Sequence, residues 1–204
     1  MTARRQGSRA RDVAGVALGL SVLAGSAAVA RRARSRTEIG LFRSANDLPD
    51  GAFVPIWSTM QYGTFGAVPV IAAAALVARR PRLAASIATG GTAAWVTAKA
   101  VKRVVARGRP ASIIDGVEQR GAEEGDLGFP SGHAAVSTTM TVVLWPEVSE
   151  GWRWPLAALT GLVPFGRMYV GAHLPLDLVG GSALGLALGS AINLLRTDRR
   201  RVVR

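Results

Sequence analysis

The sequence predicts an all-α, polytopic membrane protein, a helical bundle with about six transmembrane helices and one interfacial helix. Hydrophobic residues make up 49% of the 204 residues, and most of them fall in six long runs that contain no charged residue. The charged residues lie between these runs. Six such runs with so little polar sequence between them leave too little polar surface to coat a soluble domain.

The six runs differ in length, and a helix needs roughly 17–25 apolar residues to cross the hydrocarbon core of a bilayer. The first, second and sixth runs reach that length alone, whereas the others reach it only with charged residues at their ends. Run two contains Pro55 and Pro69 and is expected to be kinked. The runs cover residues 13–30, 51–78, 83–98, 134–146, 154–166 and 178–195.

The first run follows a basic segment and ends in Ala28-Val29-Ala30, which resembles a signal-peptidase site. It is therefore either a cleaved signal peptide or a retained anchor, and its length beyond the usual 7–15 apolar residues favours the anchor. The chain divides into a basic N-terminal tail at 1–12, a six-span membrane domain at 13–196 and a basic C-terminal tail at 197–204.

Residues 37–50 are expected to form the interfacial helix, because apolar residues recur among charged neighbours. Its apolar side is assigned to Ile39, Leu41, Phe42 and Leu48. In the last run a glycine recurs every four residues, which is typical of helices that approach closely. These glycines are Gly181, Gly185 and Gly189, and we interpret them as a packing surface.

The net charge of +12 and the absence of cysteine narrow the possible functions. Nucleic-acid binding is not expected, because the charges are separated by long apolar runs instead of covering a polar surface. Without cysteine there is no disulfide and no cysteine zinc site.

Threading six spans from a cytoplasmic N-terminus places the 102–130 loop and the 167–173 turn outside, with weak support from the positive-inside rule. The Arg-, Ala- and Gly-rich composition indicates a GC-rich bacterial genome, and with the predicted spans we expect a multi-pass protein of the bacterial inner membrane.

The chain's two histidines both lie next to predicted helix starts on this outer side. His133 opens run four, and His173 stands four residues before Asp177. Pro175 between them suits a first helical turn, so the last helix is predicted to start near Leu174. Asp177 would then reach back to a ring nitrogen of His173, fix its tautomer and raise its basicity. The alternative is a helix-capping acid beside an incidental histidine.

Three cations are predicted to converge on the same face as the histidines, namely Lys102, Arg109 and Arg167. Cations at the edge of a bilayer are costly unless they meet an anion. Ser131 and Gly132 are expected to offer free backbone N–H groups at a helix N-terminus, which suits a phosphate oxygen. Other cations are interpreted as snorkelling to headgroups, among them Lys99, Arg103 and Arg107.

Three blocks of sequence resemble the signature of the type-2 phosphatidic acid phosphatases, integral-membrane enzymes that share a site with vanadium haloperoxidases and bacterial acid phosphatases. The blocks are Lys102-x6-Arg109-Pro110, Pro130-Ser131-Gly132-His133 and Arg167-x5-His173-x3-Asp177. Their order and spacing are family-like, and the combination is far more specific than any block alone. The third block departs from the pattern, because the family usually has Ser-Arg where this chain has Gly166-Arg167. A hydroxyl donor to the phosphate is therefore missing.

The resemblance implies a metal-independent lipid phosphatase without a cofactor, whose partners are membrane lipids and a lipid phosphate substrate. That substrate is a polyprenyl diphosphate, a phosphatidylglycerol phosphate or a phosphatidic acid. His173 would attack phosphorus, Asp177 would hold His173, and His133 would protonate the leaving oxygen. The phosphoryl oxygens would be held by Lys102, Arg109, Ser131, Gly132 and Arg167. The alternatives are a weak or inactive relative that binds lipid phosphates and a vanadate-dependent peroxidase.

The loop between the first two blocks, residues 111–128, is rich in acids and glycine. It is either a mobile lid over the site or a solvated connection between helices, and the composition slightly favours the connection.

Overall fold

The fold is all-α, as predicted, in a computed structural model that describes residues 2–32, 35–121 and 125–202. Within these ranges eight α-helices follow one another, with short 3₁₀ turns at residues 50–52, 61–63 and 110–112. The helices are α1 (Thr2–Ala30), α2 (Arg36–Asn46), α3 (Phe53–Met60), α4 (Ala67–Val77), α5 (Pro81–Val105), α6 (Gly132–Leu144), α7 (Glu150–Tyr169) and α8 (Pro175–Val202).

The first and last helices pack side by side, and both have the length and hydropathy of a membrane span. Among the described residues the spanning stretches are Gln6–Ala30 of α1 and Pro175–Thr197 of α8. Both helices continue into the segments that we assigned to basic tails, since α1 begins at Thr2 and α8 ends at Val202. Gly19 lets the backbones approach, because a Cβ atom there would lie 2.6 Å from the Ala183 carbonyl oxygen.

Run 51–78 is kinked, as predicted, but the bend does not lie at a proline. Asp50–Gly63 and Ala67–Val77 meet at an angle of 67° and together have the composition of one broken span. Pro55 and Pro69 are each the third residue of their helix, α3 and α4. A proline in the first turn costs no intrahelical hydrogen bond, so these prolines begin the two halves and the chain bends between them.

The central helix α6 is shorter than a membrane span. Its 13 residues rise about 20 Å, against a hydrocarbon core of about 30 Å. Eight of those residues are buried, and α6 packs against α5, α7 and α8. By length and composition the described chain has two spans, or three if the bent pair is one. Six spans therefore remains a prediction, in which α6 would cross only part of the bilayer.

Helix α2 turns a mixed side to the protein, which contains Phe42 of the predicted apolar side together with two polar residues. Its buried residues are Glu38, Phe42, Ala45 and Asn46, while Leu41 faces outward. The helix is also shorter than the expected 37–50 and ends at Asn46. Glu38 and Asn46 are thus directed into the structure, where a charged group needs a partner.

The glycine stripe of α8 is a packing surface, as predicted, and it fixes α8 against α6. A Cβ atom at Gly185 would lie 2.5 Å from the Ala135 carbonyl oxygen, and one at Gly189 would lie 2.6 Å from Val142 Cβ. Gly181, one turn nearer the start of α8, faces Ser131 in the same way. The close contact therefore sets the N-termini of α6 and α8 next to each other.

Two opposite ends of the bundle can be distinguished from the helix directions. At one end Arg31 follows α1 and donates to the carbonyl of Val104 at the end of α5, 2.6 Å away. At the other end Glu147 pairs with Arg80 and with Arg196, which lies 2.5 Å away. The segments that carry all three sequence blocks meet at the first end.

We expect Gly185→Val to destabilise the protein, because the added side chain would clash with the α6 backbone. Overpacking of this kind costs about 1–3 kcal/mol or more. Thermal unfolding in detergent measures the effect, with Gly161→Val of α7 as the control, since a Cβ atom at Gly161 meets nothing within 4 Å. Equal melting temperatures for the two variants would contradict the close α6–α8 contact.

Candidate active site

The N-terminus of α6 carries the second sequence block. Ser131 is the N-cap, and its hydroxyl oxygen accepts from the Ala134 N–H at 3.4 Å. The expectation of a free N–H at Ser131 is wrong, because that group donates to the Asp177 carbonyl oxygen at 2.8 Å. Ser131 is fully buried, and the next two residues, Gly132 and His133, line the cavity described below.

The N-terminus of α8 carries His173 and Asp177 in the predicted arrangement. α8 begins at Pro175, and Asp177 lies in its first turn. The Asp177 carboxylate caps the helix by accepting the Leu174 N–H at 3.0 Å, and the same oxygen, Oδ2, lies 3.5 Å from His173 Nδ1. Asp177 thus caps the helix and also lies beside the ring.

The end of α5 and the loop after it supply two of the predicted cations. Lys102 Nζ donates to the carbonyl oxygens of Leu127 at 2.6 Å and Gly128 at 2.9 Å. Arg109 donates to the carbonyl of Gly125 and, at 2.8 Å, to that of Ala172. These bonds tie both cations to the loop before α6, and Arg109 also to the turn before His173.

The predicted site residues line two adjoining cavities at the same end of the bundle. We call them the loop cavity, of about 640 Å³, and the α5 cavity, of about 670 Å³. His133 and Arg109 line both, Arg167 lines the loop cavity, and Lys102 and His173 line the α5 cavity. Two imidazoles and three cations therefore lie around these adjoining cavities, an arrangement suited to holding a phosphate and transferring a proton to or from it.

Arg107 does not snorkel to the headgroups, which corrects the sequence interpretation. Its guanidinium is buried and donates to Asp177 Oδ1 at 2.8 Å and to Glu38 Oε2 at 2.7 Å. Burial alone would lower the pKa of Arg107, but its bonds to Glu38 and Asp177 raise it above the ordinary value. By contrast Lys99 and Arg103 are exposed, as expected, although both line the α5 cavity.

Sequence reasoning missed both Arg107 and Glu38 as residues of the site. Arg107 differs in no obvious way from Arg103 four residues earlier, and only burial separates them. Glu38 resembled an ordinary charged residue in the first turn of an amphipathic helix. One sequence feature could have indicated that Arg107 belongs to the site: it lies within the first block, two residues before Arg109.

Met60 occupies the space beside Gly166, where the family pattern has serine. A Cβ atom at Gly166 would lie 2.5 Å from Met60 Cγ, 2.8 Å from Met60 Sδ and 3.0 Å from Ile56 Cγ2. Gly166 is therefore the residue that lets α3 pack against α7. Met60 also lines the loop cavity. An apolar side chain therefore lies beside the position at which the family pattern has a serine hydroxyl.

The 111–128 loop is fastened to its surroundings over its described part. Arg120 donates to the carbonyls of Asn46, Leu48 and Tyr169 at 2.8–2.9 Å, and its guanidinium lies over the Tyr169 ring at 4.4 Å. Asn46 in turn binds the backbone of Glu118. Residues 119–121, 125 and 126 form a wall of the loop cavity. The 111–128 loop is therefore part of the site and not only a solvated connection between helices.

No metal site is apparent in the part of the chain that the structure describes. Within residues 2–32, 35–121 and 125–202, no three His, Cys, Asp or Glu side chains come together as a metal ion would require. The cationic groups around the cavities favour an anion there instead.

This fold and site define a class of protein, the helical membrane proteins whose histidines and fixed cations line adjoining cavities at one end of the bundle. A sequence model of the PAP2 superfamily matches residues 82–201, which is more than half of the chain and includes all three blocks. The chain belongs to the PAP2 superfamily. The match confirms the resemblance to the type-2 phosphatidic acid phosphatases that the three sequence blocks indicated.

One curated relative and two solved structures are similar to this chain. An undecaprenyl-diphosphatase from Sulfolobus acidocaldarius is 31% identical over 119 residues, which cover 58% of this chain and 57% of that protein. The match thus spans little more than half of the relative's length.

The crystal structure of Aquifex aeolicus LpxE aligns with a TM-score of 0.66 at 21% identity, over 76% of this chain and 93% of that one. The first transmembrane PAP2 type phosphatidylglycerolphosphate phosphatase from Bacillus subtilis aligns with a TM-score of 0.70 at 17% identity, over 89% and 96%. At these identities the likeness concerns the fold. Together with the spanning helices α1 and α8, it makes the chain a multi-pass membrane protein.

We expect Gly166→Ser to lower the melting temperature, because its Cβ atom collides with Met60, and Met60→Ala to relieve the collision. In a double-mutant cycle the pair should therefore cost less than the sum of the single changes, by about 0.5–3 kcal/mol. Thermal unfolding of the four proteins in one detergent measures this. Additive costs would contradict the assignment of Met60 as the neighbour that excludes serine.

Proposed function

We propose that this chain is a membrane phosphatase that hydrolyses a lipid phosphate at His173, through a phosphohistidine intermediate and without a metal ion. One observation carries the proposal. The His173 ring has Asp177 3.5 Å from Nδ1 and lines the same cavity as Lys102 and His133. PAP2 membership and the similarity to an undecaprenyl-diphosphatase support it.

In the first step His173 Nε2 attacks phosphorus and the bond from phosphorus to the leaving oxygen breaks. Asp177 beside Nδ1 favours the tautomer with the proton on Nδ1, so the lone pair is on Nε2. His133, which lines both cavities, gives its proton to the leaving oxygen. The products of the step are the free lipid alcohol or lipid phosphate and the phosphorylated His173.

In the second step a water molecule attacks phosphorus and the phosphorus–Nε2 bond breaks. His133 has lost its proton in the first step, so it accepts one from the water. Inorganic phosphate leaves and both histidines return to their starting forms. Each step moves one proton through His133, which explains why a histidine lies at the mouth of an apolar helix.

The charge of the transferring phosphoryl group is balanced by fixed cations. Lys102 and Arg109 are held by backbone carbonyls before substrate arrives, so little reorganisation is needed, and Arg167 lines the loop cavity beside them. The N-terminus of α6 adds the partial positive charge of a helix end at Gly132. The Ser131 hydroxyl is assigned to the same phosphate on the resemblance alone, because Ser131 is fully buried and is not among the residues that line the two cavities.

Within the three lipid classes, we propose a lipid diphosphate such as a polyprenyl diphosphate. Lys99 and Arg103 extend the cationic side of α5 beyond Lys102, one turn before it and directly after it. The leaving group of a diphosphate is itself a phosphate, whose added charge these two residues would stabilise. Phe65 and Trp95, with ring centroids 4.8 Å apart, line the same cavity and suit the lipid part.

We also propose a location in a bacterial inner membrane, with the cavities on the outer face. The support is the helix directions, which set both histidines at the end opposite to Arg80 and Arg196. Clusters of basic residues at the Arg80 end suit the cytoplasmic side.

Substrate labelled with ³²P on its terminal phosphate tests the covalent step. We expect acid-labile, base-stable label on the protein after a quench and none in His173→Ala. Phosphate release by the unmodified protein should persist in EDTA. Equal labelling of His173→Ala, or loss of activity on chelation, would contradict the mechanism.

The diphosphate preference is tested by comparing a polyprenyl diphosphate with its monophosphate. Changing both Lys99 and Arg103 to alanine should reduce kcat/KM for the diphosphate roughly tenfold more than for the monophosphate, since only the diphosphate places charge there. Arg82→Ala, an exposed cation at the other end of α5, is the control. An equal loss on both substrates would favour a general role in membrane binding.

A further inference from the structure

The Arg107 guanidinium joins two buried carboxylates that come from different helices. It lies 2.8 Å from Asp177 Oδ1 on α8 and 2.7 Å from Glu38 Oε2 on α2. All three side chains are nearly or fully buried, with exposures of 5% for Arg107, 5% for Glu38 and 0% for Asp177. The sequence blocks contain Asp177 and Arg107, but not Glu38.

Glu38 is held in place from both sides. Its backbone N–H donates to the Ser35 hydroxyl at 3.0 Å, which caps α2. Its other carboxylate oxygen, Oε1, accepts the Leu176 N–H in the first turn of α8 at 3.1 Å. The side chain therefore binds Arg107 with one oxygen and the start of the His173-bearing segment with the other.

The charges of this cluster do not cancel. Asp177 and Arg107 alone would form a neutral pair, and Asp177 would then act weakly on His173. Glu38 adds a second negative charge, so the three groups carry one net negative charge. In a buried environment with weak screening, that charge acts strongly on the ring 3.5 Å from Asp177.

We propose that Glu38 and Arg107 are positioning residues for His173. Arg107 fixes the Asp177 carboxylate through Oδ1 so that Oδ2 faces the ring, and Glu38 offsets the charge of Arg107 so that the cluster stays negative. The cluster then stabilises the positive charge that the His173 ring acquires when Nε2 bonds to phosphorus. The proposal rests on the phosphohistidine mechanism given above.

Other charged groups also lie around the ring and keep their charges when Glu38 or Arg107 is substituted. Those lining the α5 cavity with His173 are Lys99, Lys102, Arg103, Arg109, Asp126 and His133. Arg167 reaches the site from α7, where it lines the loop cavity. A change in the pH dependence of a Glu38 variant is therefore assigned to the cluster.

Glu38→Gln keeps the size of the side chain and removes its charge, which leaves a neutral cluster. Protonation of the His173 ring then becomes less favourable, so the acidic limb of the kcat/KM profile should move to lower pH by about one unit. Phosphorylation of the ring becomes less favourable too, and kcat should fall roughly 10- to 100-fold. KM should change little, because the phosphate-binding cations remain.

Adding Arg107→Met to Glu38→Gln removes the cation that holds Asp177 Oδ1 and leaves a buried carboxyl without its charged partner. The kcat should then fall further than in Glu38→Gln alone, because Asp177 is no longer fixed beside the ring. A merely structural role of Glu38 would lower the melting temperature of Glu38→Gln without moving its acidic limb. Glu147→Gln is the matched control, since Glu147 bridges two arginines at the opposite end of the bundle and should leave both readouts unchanged.

The measurement is the pH profile of phosphate release in detergent, with folding checked by thermal unfolding. If Glu38→Gln does not fold, Glu38→Asp and Arg107→Lys replace it, since both keep every charge but displace the carboxylate. They should keep the acidic limb and lower kcat, and wild-type kcat in both would overturn the proposal. So would a wild-type profile and kcat in Glu38→Gln. Activity that survives in His173→Ala would instead refute the proposed function itself.

Discussion

The buried carboxylate of Asp177 is the interaction on which the rest of the site depends. Its two side-chain oxygens and its backbone carbonyl contact four residues in three segments of the chain. Oδ1 binds Arg107 after α5, Oδ2 caps α8 and lies beside His173, and the carbonyl accepts the N–H of Ser131 at the start of α6. A fully buried carboxylate is stable only with such partners, so the helix ends are held together by the same charge that orients the histidine.

Close packing at glycines gives this arrangement its precision. Gly181 brings the start of α8 against Ser131, and Gly128 lets the loop backbone approach Asp177, since a Cβ atom there would lie 2.8 Å from Oδ2. Gly63 does the same for the turn after α3, where a Cβ atom would lie 2.8 Å from the His133 carbonyl oxygen. Helices that carry few long side chains at their contacts can place two histidines at adjoining cavities without strain.

The fold class, the kinked second run and the start of α8 could be predicted from the sequence, because apolar runs, prolines and the His173–Asp177 spacing are local signals. The partners of Arg107 could not be predicted, since Glu38 lies 69 residues away and pairs across the fold. The Ser131 amide was misassigned for the same reason, because its acceptor is the backbone of another helix. Gly166 was visible as a departure, but only packing identifies Met60 as what replaces the family serine.

The most direct test of the account is an experimental structure of the protein with orthovanadate, which mimics a phosphoryl group in transfer. The account predicts vanadium bonded to Nε2 of His173, with its oxygens within hydrogen-bond distance of Lys102, Arg109 and Arg167 and with Nδ1 facing Asp177. Vanadate bonded to His133, or bound away from both histidines, would contradict it.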